Sequence, residues 1–411
     1  MNKEITLIPE LRFPEFIDDG DWEKLVVSQV ASYENGKAHE QNIVEEGAYI
    51  VVNSKFISSD GKVRKYTDNA NCLANKDDVL MVLSDVPNGK AIAKCFYVEE
   101  NNKFTVNQRI CKITATKVNS KILYYVLNRN SYLLSFDDGV KQTNLRNEDV
   151  LNCPVLLPKN PKEQAKISEF VSSLDEIIEG HIERLDLLEE HKKGLMQNLF
   201  PQKGEKKPKY RFPAFIDHGE WTTKTLDKIA EFSKGKGISK ADITENGTLP
   251  CIRYGELYTY YKETIYEVIS YTDVPQDELI LSQANDVIIP SSGETHEDIA
   301  TSSCVMLDGI ALGGDLNIIR SKINGVFLSY YLNNVKKREI AQMAQGISVV
   351  HLYSNQLRNL EITFPSIDEQ EKIATFFSGL DEVINEQNKK IDQLRLHKKG
   401  LMQSLFPKMN D

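Results

Sequence analysis

Zinc-ligand spacing is missing from this sequence. Its six cysteines, Cys72, Cys95, Cys111, Cys153, Cys251 and Cys304, lie far apart with no C-x-x-C pair, and its seven histidines form no H-x-x-x-H pattern. A zinc site therefore has no support, and reduced structural cysteines are expected. Proline and glycine are scarce, at 14 and 22 of 411 residues, and 41% of the residues are apolar. That composition excludes a disordered or collagen-like chain. No apolar run approaches the ~18 to 20 residues of a membrane helix. The opening Met1-Asn2-Lys3-Glu4-Ile5 leads into charge and proline instead of a signal core, so a cytoplasmic chain with no membrane contact is expected. An excess of positive charge is lacking too. Fifty Lys and Arg stand against sixty Asp and Glu, a net charge of -10, which argues against a broad phosphate-binding surface.

Reactive constellations are equally absent. There is no G-x-x-x-x-G-K-[ST] loop, and Gly235-Lys236-Gly237 lacks the third glycine and the preceding apolar strand of a nucleotide loop. No two prolines are adjacent, which removes an Asn-Pro-Pro-Tyr-type methylation site, and Gly-x-Ser-x-Gly does not occur. The acids in Asp368 to Lys372 sit at a predicted helix start, where the helix dipole favours them. A non-catalytic binding chain is the expectation.

What is present is a repeat. Arg12-Phe13-Pro14-Glu15-Phe16-Ile17-Asp18 recurs as Arg211-Phe212-Pro213-Ala214-Phe215-Ile216-Asp217, and the register holds through Gly20/Gly219, Trp22/Trp221, Gly36/Gly235 and Lys37/Lys236. Both tryptophans of the chain fall on equivalent positions. His191 to Pro201 (HKKGLMQNLFP) recurs as His397 to Pro407 (HKKGLMQSLFP), identical at ten of eleven positions. The chain is a tandem duplication of a unit of about 200 residues, the first thing a fixed-offset match implies. Between the matching ends the copies diverge, as two modules reading different ligands on one scaffold would.

Each copy ends in a predicted long helix. Ile167, Phe170, Leu174, Ile177, Ile178, Ile182, Leu185, Leu188, Leu195 and Leu199 recur at spacings of three and four, as do Ile373, Phe376, Leu380, Val383, Ile384, Ile391, Leu394, Leu401 and Leu405. At about 37 residues, roughly 55 Å, such a helix outruns its own globule and needs a partner, for which the other copy is the candidate. Gln387, His181, Lys192 and Lys398 on or near the stripe are expected to weaken the seam locally and to help fix its register. Short β-rich runs occur at 48–52, 78–83, 109–113, 286–289 and 316–319, and short helices fit 121–128 and 328–334. The fold class is α+β, a tandem duplication with two globular domains, at 1–158 and 203–365, and two long helices, at 159–202 and 366–411, packed as an antiparallel coiled coil. Residues 203–211 form a basic linker.

In its order of motifs, Arg-Phe-Pro-x-Phe and Trp, a variable region, Glu-Gln-x-x-Ile, a leucine-rich helix and His-Lys-Lys-Gly-Leu-Met-Gln-x-Leu-Phe-Pro, all twice over, the chain closely resembles the DNA specificity subunits of Type I restriction-modification systems. The resemblance covers essentially the whole chain. It implies that each variable region is a target recognition domain for one half of a bipartite, asymmetric double-stranded DNA site, with the helices as spacer. It further implies two methyltransferase subunits and restriction subunits as partners, with S-adenosylmethionine, ATP and Mg²⁺ on those partners and no cofactor here. The competing readings are a duplicated protein-interaction adaptor, which takes the acidic charge at face value, and a fused nuclease or methyltransferase, which the missing motifs oppose.

Candidate DNA contacts rest on side-chain chemistry beside the β-like runs. Asn53-Ser54-Lys55 aligns with Arg253-Tyr254-Gly255, of which Asn53, Lys55, Arg253 and Tyr254 are candidates; Asn107, Gln108 and Arg109 form a second cluster; Lys141, Gln142 and Asn144 lie in a stretch aligned with Ser348 to His351; Lys37 and Lys236 are equivalent loop lysines. Asn and Gln suit adenine, Arg suits guanine, and Lys suits phosphate. A solvated turn accounts for the same residue types. His191 and His397 are assigned to a packing face and not to chemistry.

Overall fold

The computed structural model describes residues 7–86, 89–346 and 349–407. The chain forms two compact units: one runs to His181 and adds the stretch from Lys390 onward, and the other is Ile182–Lys389. Each unit thus holds one globule together with a segment of each long helix.

The globules share a plan. In the first unit a four-stranded antiparallel sheet has the order Ala31–Asn35, Ile110–Ala115, Asp78–Val82, Cys95–Tyr97, and a second sheet has Tyr49–Val52 parallel to Phe104–Val106. In the second unit the order Ala230–Lys234, Leu316–Ser321, Asp286–Pro290, Ser303–Val305 repeats the first sheet and gains Thr264–Ile265 at its edge, while Leu249–Ile252 runs parallel to Ala311–Leu312. The central strands Asp78–Val82 and Asp286–Pro290 are buried at every position, which explains their unbroken apolar runs. An antiparallel ribbon, Glu23–Val26 with Pro154–Leu157 and Thr222–Thr225 with Glu361–Phe364, ties the entry of each globule to its exit.

The long helices are Pro161–Leu199 and Ile367–Leu405, each of 39 residues. Within each unit a segment of one packs antiparallel on a segment of the other. In the first unit Lys398 binds Asp175, which accepts from the Tyr125 hydroxyl at 2.8 Å, and the ammonium lies 5.2 Å from the Tyr125 ring. In the second, Lys192 donates to Asp381 at 2.6 Å, Asp381 accepts from the Tyr330 hydroxyl at 2.5 Å, and the ammonium lies 5.3 Å from the Tyr330 ring. The two lysines expected to weaken the seam are therefore paired with a carboxylate across it, and the polar interruption becomes a cross-helix registration point.

The repeated helix-end motifs close the cores in an exchanged manner. Leu405 is buried and Phe406 packs edge-on against Trp22 at 5.8 Å, so the motif of the second copy completes the first unit, where the Leu11 amide donates to Ser404 O at 2.9 Å. The motif of the first copy completes the second unit. There Phe200 is fully buried among Trp221, Phe327, Tyr331 and Phe377, and the Tyr210 amide donates to Asn198 O at 2.9 Å.

Equally repeated is a buried ion pair that explains Arg-Phe-Pro and Glu-Gln together. Arg12 Nε and Nη2 donate to the two oxygens of Glu163 at 2.7 and 2.8 Å, and Arg211 does the same to Glu369 at 2.7 Å each. Each neighbouring glutamine binds the start of a short helix: Gln164 Oε1 accepts from the Asn119 amide and Gln370 Oε1 from the Asn324 amide, both at 2.9 Å. Glu369, read from sequence only as an acid favoured by the helix dipole, is buried and paired.

All six cysteines are buried and unpaired. Burial pushes their thiols up from an ordinary 9.0, Cys72 and Cys251 to about 11, and Cys111, Cys153 and Cys304 to about 12. A disulfide-forming thiol reagent at pH 8 is expected to label none of them in the native chain and all six in denaturant. Because the folded values are raised, their stabilisation is intact below pH 9 and is lost as the pH climbs toward 11 to 12; thermal melts across that window check the sign.

Candidate nucleic-acid interface

One groove in each unit gathers half of the sequence candidates, five in the first unit and two in the second. In the first unit it has a volume of about 660 Å³ and is lined by Asn53, Lys55, Lys65, Glu40 and the turn Asn107-Gln108-Arg109. The parallel strands Tyr49–Val52 and Phe104–Val106 end here side by side, so two segments fifty residues apart present their following residues to one space. The Asn107 amide donates to Val52 O at 3.0 Å, fixing that meeting. Asn53 caps the helix Ser54–Ser58, its Oδ1 accepting from the Phe56 amide at 2.9 Å, so its amide nitrogen is the end available for recognition.

The loop carrying Lys37 is brought against the same turn. The Lys37 amide donates to Val106 O and the Gly36 amide to Ile110 O, both at 2.9 Å, and a Cβ at Gly36 would overlap the Asn107 carbonyl. The repeated Gly-Lys pair thus has a steric cause: only glycine lets this loop pass so close. Lys37 itself is exposed and does not line the groove.

The third cluster joins the second through Leu83. Its amide donates to Arg109 O at 2.9 Å and its carbonyl accepts from the Leu145 amide at 2.8 Å. Thr143–Asn144 pairs with Ser84–Asp85, and Gln142 donates to Ser84 Oγ at 2.8 Å and to Asn144 Oδ1 at 3.3 Å. Lys141 is exposed beside them. Gln142 and Asn144 spend part of their hydrogen-bonding capacity on the protein.

The electrostatics of this groove are one-sided. Lys55, Lys65 and Arg109 make no side-chain hydrogen bond or ion pair among the described residues. The facing carboxylate, Glu40, is occupied by Asn107 Nδ2 and Gln108 Nε2, each at 3.3 Å. Hydrogen bonds from backbone amides and from Asn107 hold its carboxyl below the usual range, so it is ionised at neutral pH.

The second unit builds a groove of about 730 Å³ at the equivalent place, lined by Lys240, Arg253, Tyr254, Tyr258, Glu294 and the turn Gly313-Gly314-Asp315. The same backbone bonds define it: Gly313 amide to Ile252 O, Lys236 amide to Leu312 O and Gly235 amide to Leu316 O, all at 2.9 Å. Lys236, like Lys37, is exposed. Arg253 is less available than its sequence position suggests, since its Nε donates to the buried Glu256 at 3.0 Å. Tyr254 and Tyr258 lie with ring centres 6.4 Å apart. Burial and the neighbouring Tyr254 and Glu294 raise the Tyr258 phenol further, so it stays a neutral donor. Val350–His351 pairs with Ser292–Gly293 as Thr143–Asn144 does with its partner. His351 Nδ1 lies 3.2 Å from Ser292 Oγ. Ser348 lies outside the described residues.

Sequence reasoning missed Glu40, Lys65, Tyr258, Glu294 and Asp315. The last had a visible signal: Asp315 precedes the strand Leu316–Ser321 as Arg109 precedes Ile110–Ala115.

A family model described as the Type I restriction modification DNA specificity domain matches residues 19–190 and again residues 218–395. The chain belongs to this family. As a specificity subunit it is non-catalytic, and the two matches coincide with its two copies. It is 23% identical to the Type I restriction enzyme MjaVIII specificity subunit of Methanocaldococcus jannaschii over 420 residues, covering 96% of this chain and 93% of the relative. It is 24% identical to the MjaIX specificity subunit of the same organism over 326 residues, covering 75% of this chain and 72% of the relative. In fold it is similar to the crystal structure of a Type I restriction-modification S subunit from M. genitalium, with a TM-score of 0.60 at 18% identity, covering 98% of this chain and all of the other. A chain from work on complex assembly and conformational transition in a type I restriction-modification system gives 0.53 at 16% identity, covering 93% and 96%. Among the described residues of the specificity subunit no His, Cys, Asp and Glu cluster suits a metal ion, and no helix is long and apolar enough to cross a membrane.

Proposed function

We propose that this specificity subunit reads a bipartite, asymmetric DNA site, each globule contacting one half-site through its groove. The observation that carries the reading is the pair of equivalent grooves, built by the same backbone bonds and lined by different side chains. A shared scaffold with divergent lining yields two different half-sites, unlike the palindrome of a homodimer. In this reading residues 1–158 and 203–365 recognise DNA, and residues 159–202 and 366–411 set the half-site spacing and dock two methyltransferase subunits. A helix of 39 residues extends ~58 Å, on the order of one to two turns of B-DNA at ~34 Å each. Restriction subunits join the assembly, and S-adenosylmethionine, ATP and Mg²⁺ act on those partners.

Binding of the assembled complex to duplexes that carry and lack its methylation motif tests the reading. Discrimination between them is expected, and equal binding to both would sink it. Lys55→Ala is expected to weaken binding to all duplexes alike and to lower the slope of log K against log salt by about one. Arg109→Ala is expected to relax preference at one base pair of one half-site, at a cost of ~1 to 3 kcal/mol. Titrations at several salt concentrations separate the two effects.

A further inference from the structure

The turns at the centre of the two grooves occupy the same station with opposite chemistry. Leu83 N donates to Arg109 O at 2.9 Å, and Ser291 N donates to Asp315 O at 2.8 Å, so Arg109 and Asp315 are held at equivalent backbone positions. Before Arg109 stand two amide side chains, Asn107 and Gln108; before Asp315 stand two glycines. The two glycines pack on the backbone of Ile252 and Gly237 and put no side chain of their own beside Asp315, so a base edge can come close to the carboxylate.

The surroundings differ in the same sense. Arg109 shares its groove with the unpaired Lys55 and Lys65. Asp315 shares its groove with Glu294, Asp242 and one lysine, Lys240, while the nearby guanidinium of Arg253 is taken up by Glu256. Asp315 Oδ1 accepts from Ser292 Oγ at 3.3 Å, which orients the carboxylate. Its other oxygen has no partner among the described residues.

We propose that Asp315 is a specificity-determining residue of the second unit: its carboxylate accepts a hydrogen bond from the exocyclic amine of a cytosine in the major groove, at the station where Arg109 of the first unit donates to guanine. The inference rests on the reading that these grooves face DNA. A carboxylate offers acceptors only. Cytosine presents its N4 amine to the major groove as a donor, whereas the N6 amine of adenine is flanked by the N7 acceptor, and guanine presents acceptors alone. Asp315 therefore favours cytosine, tolerates adenine less well and repels guanine. It also repels phosphate, so it adds discrimination and no general affinity.

The test uses the chain assembled with its methyltransferase subunits and a duplex library randomised across the target. Native chain, Asp315→Asn and Asp315→Arg are compared for base preference, and for melting temperature as a measure of structure. Asn keeps the acceptor for Ser292 and adds a donor, so the cytosine preference at one position of one half-site is expected to fall on the order of tenfold toward adenine. Asp315→Arg is expected to move the same position to guanine, and the other half-site is unchanged in both. If the native complex selects a target and both variants select the same one, Asp315 does not read DNA and the proposal fails while the groove reading stands; a lowered melting temperature with unchanged preference overturns it in the same way. If the native complex selects nothing, the groove reading itself fails and takes the proposal with it.

Discussion

Removal of residues 397–411 is expected to unfold the N-terminal unit and leave the C-terminal unit folded. The deleted stretch carries Leu405, which is 2% exposed, and Phe406, which packs on Trp22, while Leu401 and Met402 pack against the same core. It also carries Lys398, the partner of Asp175. At about 1.5 to 3 kcal/mol for each fully buried apolar side chain, the loss is roughly 5 to 8 kcal/mol. That rivals the ~5 to 15 kcal/mol by which a whole domain is stable. Hydrogen exchange read by mass spectrometry checks the result: the strands Asp78–Val82 and Ile110–Ala115 should lose protection while Asp286–Pro290 and Leu316–Ser321 keep theirs. If protection is lost around residues 286–321 instead, the exchange of helix ends between copies is wrong. The reciprocal change, Leu199→Ala with Phe200→Ala, should damage only the C-terminal unit.

Arg12→Ala is expected to destabilise the first unit by about 3 to 5 kcal/mol, because it strands an ionised carboxylate in the core. The Arg12 and Glu163 side chains are 6% and 0% exposed, and those of Arg211 and Glu369 are 10% and 1% exposed. Arg211→Ala should cost the second unit a similar amount. Replacing both partners by apolar residues of matching volume should recover much of the loss, since desolvating the pair offsets most of its attraction. Urea titrations with a double-mutant cycle measure this, and additive losses would argue against a coupled pair. The hydrogen bond to Glu163 also raises the Arg12 guanidinium above its already high ordinary value. The contribution of the arginine therefore persists through the working pH range and fades only in strong alkali. The tryptophans separate the two copies. Trp22 Nε1 donates to Glu163 at 3.3 Å, whereas Trp221 Nε1 is buried without a partner among the described residues. Trp22→Phe should accordingly cost more than Trp221→Phe, by a charged hydrogen bond's ~1.5 to 3 kcal/mol.

The architecture was largely legible because it is carried by patterns that need no tertiary knowledge. A fixed-offset repeat, a stripe at spacings of three and four, and short apolar runs bounded by polar residues gave the duplication, both long helices and the central strands. What periodicity cannot state is which globule an apolar stripe covers. Leu405 and Phe406 look like the end of their own copy and belong to the core of the other unit. Glu369 looked like an acid at a helix start and Glu163 like a motif residue without a partner, because their arginines stand more than 150 residues away. The grooves were found in pieces, since their lining follows strands that meet only in the fold. Asp315 escaped because Gly-Gly-Asp reads as a turn, although it precedes its strand as Arg109 does.

The exchanged helix ends also bear on synthesis. Residues Trp22 to Leu157 leave the ribosome first, yet the aromatic ring that closes over Trp22 is that of Phe406. At about 5 to 20 residues per second, the roughly 250 residues that follow Leu157 take on the order of 10 to 50 seconds to emerge. For that interval the earlier globule waits with an open apolar face, while the later one, whose closing Phe200 precedes it in the chain, can seal as it is made. The half that is translated first is the half that is finished last.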